Sequence, residues 1–130
     1  MLKILLVEDD ENIREIFTRF LIAKGHHVWG ASNGHDAVAE VARQTFDLVI
    51  MDVKLPKLDG VAAFEQMRTI GSRAKVAFLT GFRVNDELER LVKEGSAECL
   101  HKPLLFRDLE QVLDRIAHEP PSAPRPGGKT

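Results

Sequence analysis

The stretch LLVEDDENIR, Leu5 to Arg14, decides how the chain folds. An apolar run stops at three acids, Glu8, Asp9 and Asp10, and a segment of helical period follows. Leu2 to Val7 is apolar apart from Lys3 and does not alternate, the pattern of a strand covered on both faces. Beyond the acids, Ile13, Ile16, Phe17, Phe20 and Leu21 recur at helical spacing. They predict a helix with that face buried and with Gly25 ending it.

The same unit repeats along the chain. His27 to Ala31 is a weaker strand, Asn33-Gly34 a turn, and Ala37, Val38, Val41 and Ala42 mark a second helix. Phe46 to Met51 is a strongly apolar strand that stops at Asp52. Pro56 and Gly60 bracket a loop before a third helix marked by Val61, Phe64 and Met67. Val76 to Leu79 is a strand ending at Thr80-Gly81, and Leu88, Leu91 and Val92 mark a fourth helix stopped by Gly95. Ala97 to Leu100 is a short strand cut by His101-Lys102-Pro103, and Leu109, Val112, Leu113 and Ile116 mark a fifth helix. Five strand-helix units with no hairpin signal predict an α/β fold, a doubly wound five-stranded parallel sheet flanked by five helices. The weaker second and fifth strands suit its edges.

Composition agrees. At 130 residues, 44% apolar and 29% charged, the chain reads as one globular domain. A net charge of -2 argues against a standing nucleic-acid or membrane surface. Cys99 is the one cysteine, which excludes an internal disulfide and fits a reducing compartment. No apolar run is long enough to span a bilayer, and the opening one is too brief for a secretion signal, so a cytoplasmic location is expected. The domain is expected over residues 1–118. Residues 119–130 form a Pro/Gly-rich stretch with nothing to bury, expected to be a disordered tail or linker.

In an open parallel sheet, ligands sit at the carboxyl ends of the strands. Glu8 and Asp9 end the first strand, Asp52 the third, Thr80 the fourth and Lys102 the fifth. Three carboxylates therefore meet a hydroxyl and an amine at one rim. Clustered carboxylates raise one another's pKa unless a cation offsets them, and Mg²⁺ prefers such oxygen donors together with phosphate. The set reads as an Mg²⁺-assisted phosphoryl site with an aspartate able to act as nucleophile.

These residues resemble the receiver domain of two-component response regulators. The matching stretches are LLVEDDENIR, DLVIMDVKLPKLDG, FLTG and LHKP, in matching order and spacing over roughly residues 2 to 118. Each motif alone is weak; together they are specific. The resemblance implies a flavodoxin-like strand order 2-1-3-4-5. It implies Asp52 as phosphoacceptor, Asp9 as a direct Mg²⁺ ligand, Glu8 as an acid reaching the metal through water, and the backbone carbonyl of Lys54 as a further ligand. Thr80 would be the switch hydroxyl and Lys102 the phosphate-pairing lysine, with a cis Lys102–Pro103 bond. Implied partners are a sensor histidine kinase or phosphotransfer protein, and a downstream effector or linked output domain. A phosphorylation-dependent dimer through the fourth helix, fifth strand and fifth helix is a further family option. No nucleic acid or membrane is expected to bind this chain.

The chain departs from the family pattern at Cys99, where an aromatic switch residue is usual, and at Leu104, where phenylalanine is common. Gly81 supplies the small residue that leaves phosphate access open. Lys54 and Phe82 occupy positions that tune acyl-phosphate lifetime in receivers, and their bulk predicts slow self-dephosphorylation.

Plainer roles suit several neighbours. Asp10 and Glu11 charge the start of a helix, Asp59 caps one, and Cys99 is a small buried residue. The five histidines lack metal-ligand spacing. Other functions fit less well. A phosphohydrolase would want an Asp-x-Asp pair, and the chain has Asp52-Val53-Lys54. A flavin carrier would want a Ser/Thr/Gly phosphate loop where three acids stand. A pseudo-receiver that only binds partners remains the alternative to the phosphorylation switch.

Overall fold

The structure is a computed structural model that describes residues 1–81 and 86–118. The 119–130 tail and Phe82 lie outside the described residues. The elements run β1 (Lys3–Val7), α1 (Glu11–Ala23), β2 (His27–Ala31), α2 (Gly34–Arg43), β3 (Leu48–Asp52), α3 (Gly60–Thr69), β4 (Lys75–Thr80), α4 (Asp86–Lys93), β5 (Glu98–His101) and α5 (Phe106–His118). All strand pairs are parallel, in the order β2-β1-β3-β4-β5. The weakly apolar strands β2 and β5 do lie at the edges.

Strand alternation splits the interior into two layers. Leu5, Val7, Val49, Met51, Val76 and Phe78 face one side and pack with residues of α2, α3 and α4. Ile4, Leu6, Leu48, Ile50, Ala77 and Leu79 face the other and pack with α1 and α5. Every residue of β3 is buried, which explains why Leu48 to Met51 is an unbroken apolar run. Three helices end alike. The amides of Gly25, Gly71 and Gly95 reach back to Ile22, Arg68 and Val92, and the next amides to Leu21, Met67 and Leu91. Each glycine has positive φ, the backbone that this termination requires.

Some boundaries and faces differ from expectation. β3 begins at Leu48 rather than Phe46 and takes in Asp52, because Asp52 still pairs in register with Leu79. Asn33-Gly34 is a helix start and not a free turn. The Asn33 side chain accepts the Asp36 amide at 2.8 Å, and Gly34 is the first residue of α2. On α1 the covered residues are Phe17, Phe20 and Leu21, while Ile13 and Ile16 are 40% and 52% exposed. Ile13 lies instead on the wall of an open cavity with Phe17, Leu79 and Leu104. Ala42 on α2 and Val92 on α4 are exposed as well.

Candidate functional site

β1, β3, β4 and β5 deliver the polar residues to one rim. β1 ends at Val7, and the Glu8 amide still donates to the Ala31 carbonyl at 3.0 Å, carrying the Glu8 side chain inward, where it is buried. Asp9 is exposed beside it, and Asp10 turns away as the cap of α1, accepting the Ile13 amide at 3.0 Å. That cap also gives its own amide to Glu8 Oε2 at 3.0 Å. Asp52 is only 1% exposed at the end of the central strand. Thr80 is buried at the end of β4. Its carbonyl accepts the Lys102 amide at 2.9 Å, which extends the β4–β5 ladder by one step and sets the lysine next to the acids. The Lys102–Pro103 peptide is cis.

Glu8, Asp9 and Asp52 each offer a carboxylate oxygen, and the three oxygens lie within 4.8 Å of one another. Lys102 Nζ stands 2.9 Å from Asp52 Oδ1. Asp52 Oδ2 is buried with no hydrogen-bond partner among the described residues. Burial, resisted by the Asp10 amide and reinforced by the charge of Asp52, pushes the Glu8 carboxyl up to about 7. Burial works against the Lys102 ammonium, yet its hydrogen bond to Asp52 and the charges of Asp52, Glu8 and Asp9 outweigh that and raise its pKa.

A compact all-oxygen, anionic donor set with an unsatisfied buried oxygen is what a hard divalent cation requires. Mg²⁺ therefore fits these residues in chemistry and spacing. Lys54 is exposed on the loop after β3, two positions beyond Asp52. Among the described residues, a Cβ on Gly81 would meet the Lys102 side chain at 3.9 Å.

Two features escaped the sequence reading. Arg14 Nη1 donates to the Glu8 carbonyl at 2.6 Å. With Ile13, Phe17, Leu79, Pro103 and Leu104 it lines a cavity of about 200 Å³ that opens beside Glu8 and Lys102. Gly34 and Gly60 are each pressed against backbone of the segment that follows Asp52. Gly60 closes the quoted stretch DLVIMDVKLPKLDG, but its contact and that of Gly34 depend on where the finished fold places the backbone. Cys99 is partly buried against the α2–α4 layer, and burial pushes its thiol up.

Comparison with known proteins places this geometry in a family. Residues 4–114 match the family model for the response regulator receiver domain. Among curated proteins, the transcriptional regulatory protein ZraR of Salmonella typhimurium is 33% identical over 116 residues, covering 88% of this chain and 26% of that one. The response regulator protein FleR of Pseudomonas aeruginosa is 33% identical over 115 residues, covering 88% and 24%. The chain thus spans about a quarter of the length of these curated relatives. Among solved structures, the receiver domain of sensor histidine kinase PA1611 from Pseudomonas aeruginosa, with a magnesium ion coordinated in its active site cleft, is 30% identical with a TM-score of 0.78, covering 89% and 98%. The Vibrio cholerae chemotaxis protein CheY4 is 26% identical with a TM-score of 0.78, covering 89% and 98%. Strand order, a rim of acids facing a lysine, and these matches agree: the chain belongs to the response regulator receiver domains of two-component signalling.

Proposed function

We propose that this domain is a phosphorylation switch whose acceptor is Asp52. The observation that carries the reading is the pairing of the buried Asp52 carboxylate with Lys102 Nζ at 2.9 Å inside a three-carboxylate cluster. Glu8, Asp9, Asp52 and the Lys54 carbonyl would hold Mg²⁺, which when bound balances charge on carboxylate and phosphoryl oxygens. An oxygen of Asp52 attacks the phosphorus of the donor. The bond from phosphorus to the donor's leaving atom breaks, that atom keeps the electron pair, and Asp52 becomes an acyl phosphate. Lys102 shifts its charge from Asp52 to a phosphoryl oxygen. The Thr80 hydroxyl donates a hydrogen bond to another. Movement of Thr80 toward the phosphoryl group biases two pre-existing conformations, with no aromatic partner at Cys99.

The donor is a sensor histidine kinase or a phosphotransfer protein in the cytoplasm. The output is a downstream effector or linked domain, reached through the α4–β5–α5 surface, which also offers a phosphorylation-dependent dimer contact. Residues 1–118 form the domain, and 119–130 act as a tail or linker. To test the reading, native protein and Asp52→Ala are incubated with Mg²⁺ and acetyl phosphate and their intact masses recorded. Native protein gains one phosphoryl group, the variant gains none, and prior chelation of Mg²⁺ prevents the gain. An unmodified native chain, beside a control receiver that is modified, favours the pseudo-receiver instead.

A further inference from the structure

The segment from Val53 to Asp59 joins the proposed acceptor to α3, and its shape is held by contacts that only glycine permits. The Gly60 amide donates to the Val53 carbonyl at 2.7 Å and closes the segment into a loop. A Cβ on Gly60 would lie 2.2 Å from the Asp52 carbonyl oxygen and 3.0 Å from Val53 Cα. On the far side the loop leans on another helix. A Cβ on Gly34, the first residue of α2, would lie 1.9 Å from the Leu58 carbonyl oxygen, 2.7 Å from Leu58 C and 2.8 Å from Leu58 Cβ. Between these two supports, Lys57 has φ of 69°, left-handed backbone that a lysine adopts only when its surroundings impose it. The Leu58 side chain packs on the core, so the carbonyl cannot simply swing into solvent.

We propose that Gly34 is a positioning residue for the phosphoryl site: by letting the Leu58 backbone seat on the start of α2, it fixes the loop that follows Asp52 and carries the Lys54 carbonyl. This rests on the proposed function. The logic is mechanical. The Asn33 cap holds the start of α2, its side chain bonded to the Asp36 amide at 2.8 Å and to the Asp36 carboxylate at 3.0 Å. A methyl group on Gly34 must therefore displace the loop rather than the helix, and by more than an ångström to restore ordinary contact. The loop is closed onto Val53, so the displacement is passed to residues 52–54. Supporting contacts of this kind commonly govern metal affinity, because ligands need sub-ångström placement.

The test compares native protein, Gly34→Ala and Gly25→Ala. Gly25 has φ of +94° with nothing within 4 Å of a built Cβ, so its variant is strained at the opposite end of the sheet. Mg²⁺ affinity is measured by calorimetry, and exchange of the Gly60 amide is followed by NMR in EDTA. Gly34→Ala is expected to weaken Mg²⁺ binding about tenfold or more. It should also speed Gly60 amide exchange while amides of β1 and β3 stay protected. Gly25→Ala should leave both readouts at native values. Should Gly34→Ala fail to fold, Leu58→Ala adds no atom and removes the side chain that anchors the same loop to the core. It should weaken Mg²⁺ binding in the same direction. Native affinity and native Gly60 exchange in the folded Gly34 variant, or equal losses in the Gly25 variant, overturn the role of Gly34. A native chain that binds no Mg²⁺ overturns the functional reading itself.

Discussion

Glu8 lies buried against Asp52, and that environment raises its carboxyl from the ordinary 4.5 to about 7. In EDTA, with no cation to offset the charge, this has a thermodynamic consequence. The unfolded chain releases the Glu8 proton near 4.5 and the folded chain near 7, so between those values the folded state binds more protons. Stability from this group is complete below 4.5 and is lost as pH rises to about 7. At about 1.4 kcal/mol per tenfold change in proton affinity the full loss is on the order of 3 kcal/mol, of which roughly 2 kcal/mol falls between about pH 5 and about pH 8. Glu8→Gln keeps the shape and an oxygen to accept the Asp10 amide but cannot ionise. Urea unfolding in EDTA should show native protein losing more stability than the variant across that interval. Mg²⁺ added at the upper pH should restore native protein more than the variant, because binding to the folded state stabilises it. Parallel pH profiles for the two proteins would refute the electrostatic coupling of Glu8 to the cluster.

Four shorter predictions accompany it. Lys102→Ala removes a cation 2.9 Å from Asp52 Oδ1 but, with that side chain 41% exposed, should destabilise the protein in EDTA by only about 1 kcal/mol, less with Mg²⁺, as read by urea unfolding. Phe78→Ala, at a fully buried site between α3 and the sheet, should cost about 3–5 kcal/mol by the same assay. Phosphorylated native protein should lose its phosphoryl group slowly because of the bulk of Lys54 and Phe82. A decay within seconds, followed by intact mass, counts against that role. The Cys99 thiol, held protonated by burial, should react with iodoacetamide at neutral pH much more slowly than a free cysteine, and equal rates would show it accessible.

Much of the architecture was legible because the sheet is buried on both faces. Three strands are written as unbroken apolar runs, and the two that are not, His27–Ala31 and Glu98–His101, are the edges. Strand order itself came from the resemblance, since alternation alone does not rank neighbours. The strand-end acids were legible only together: one acid after a strand is most often a cap, but acids ending two strands opposite Thr80 and Lys102 at two others form a site. Ile13 and Ile16 misled because helical period identifies a face without saying how far the neighbouring layer extends. Asn33-Gly34 misled because the same pair serves turns and helix caps. Arg14 and Gly34 had no signal at all. Their partners, the carbonyls of Glu8 and Leu58, are backbone atoms whose positions depend on the finished fold.

The role given to Asp52 is tested most directly by locating the phosphoryl group. Protein treated with acetyl phosphate and Mg²⁺ is reduced with borohydride, which converts an aspartyl phosphate to homoserine, and its peptides are sequenced by mass spectrometry. Homoserine at position 52 alone is the expected result. Homoserine at position 9, or at any other acid, with position 52 unchanged, would contradict it.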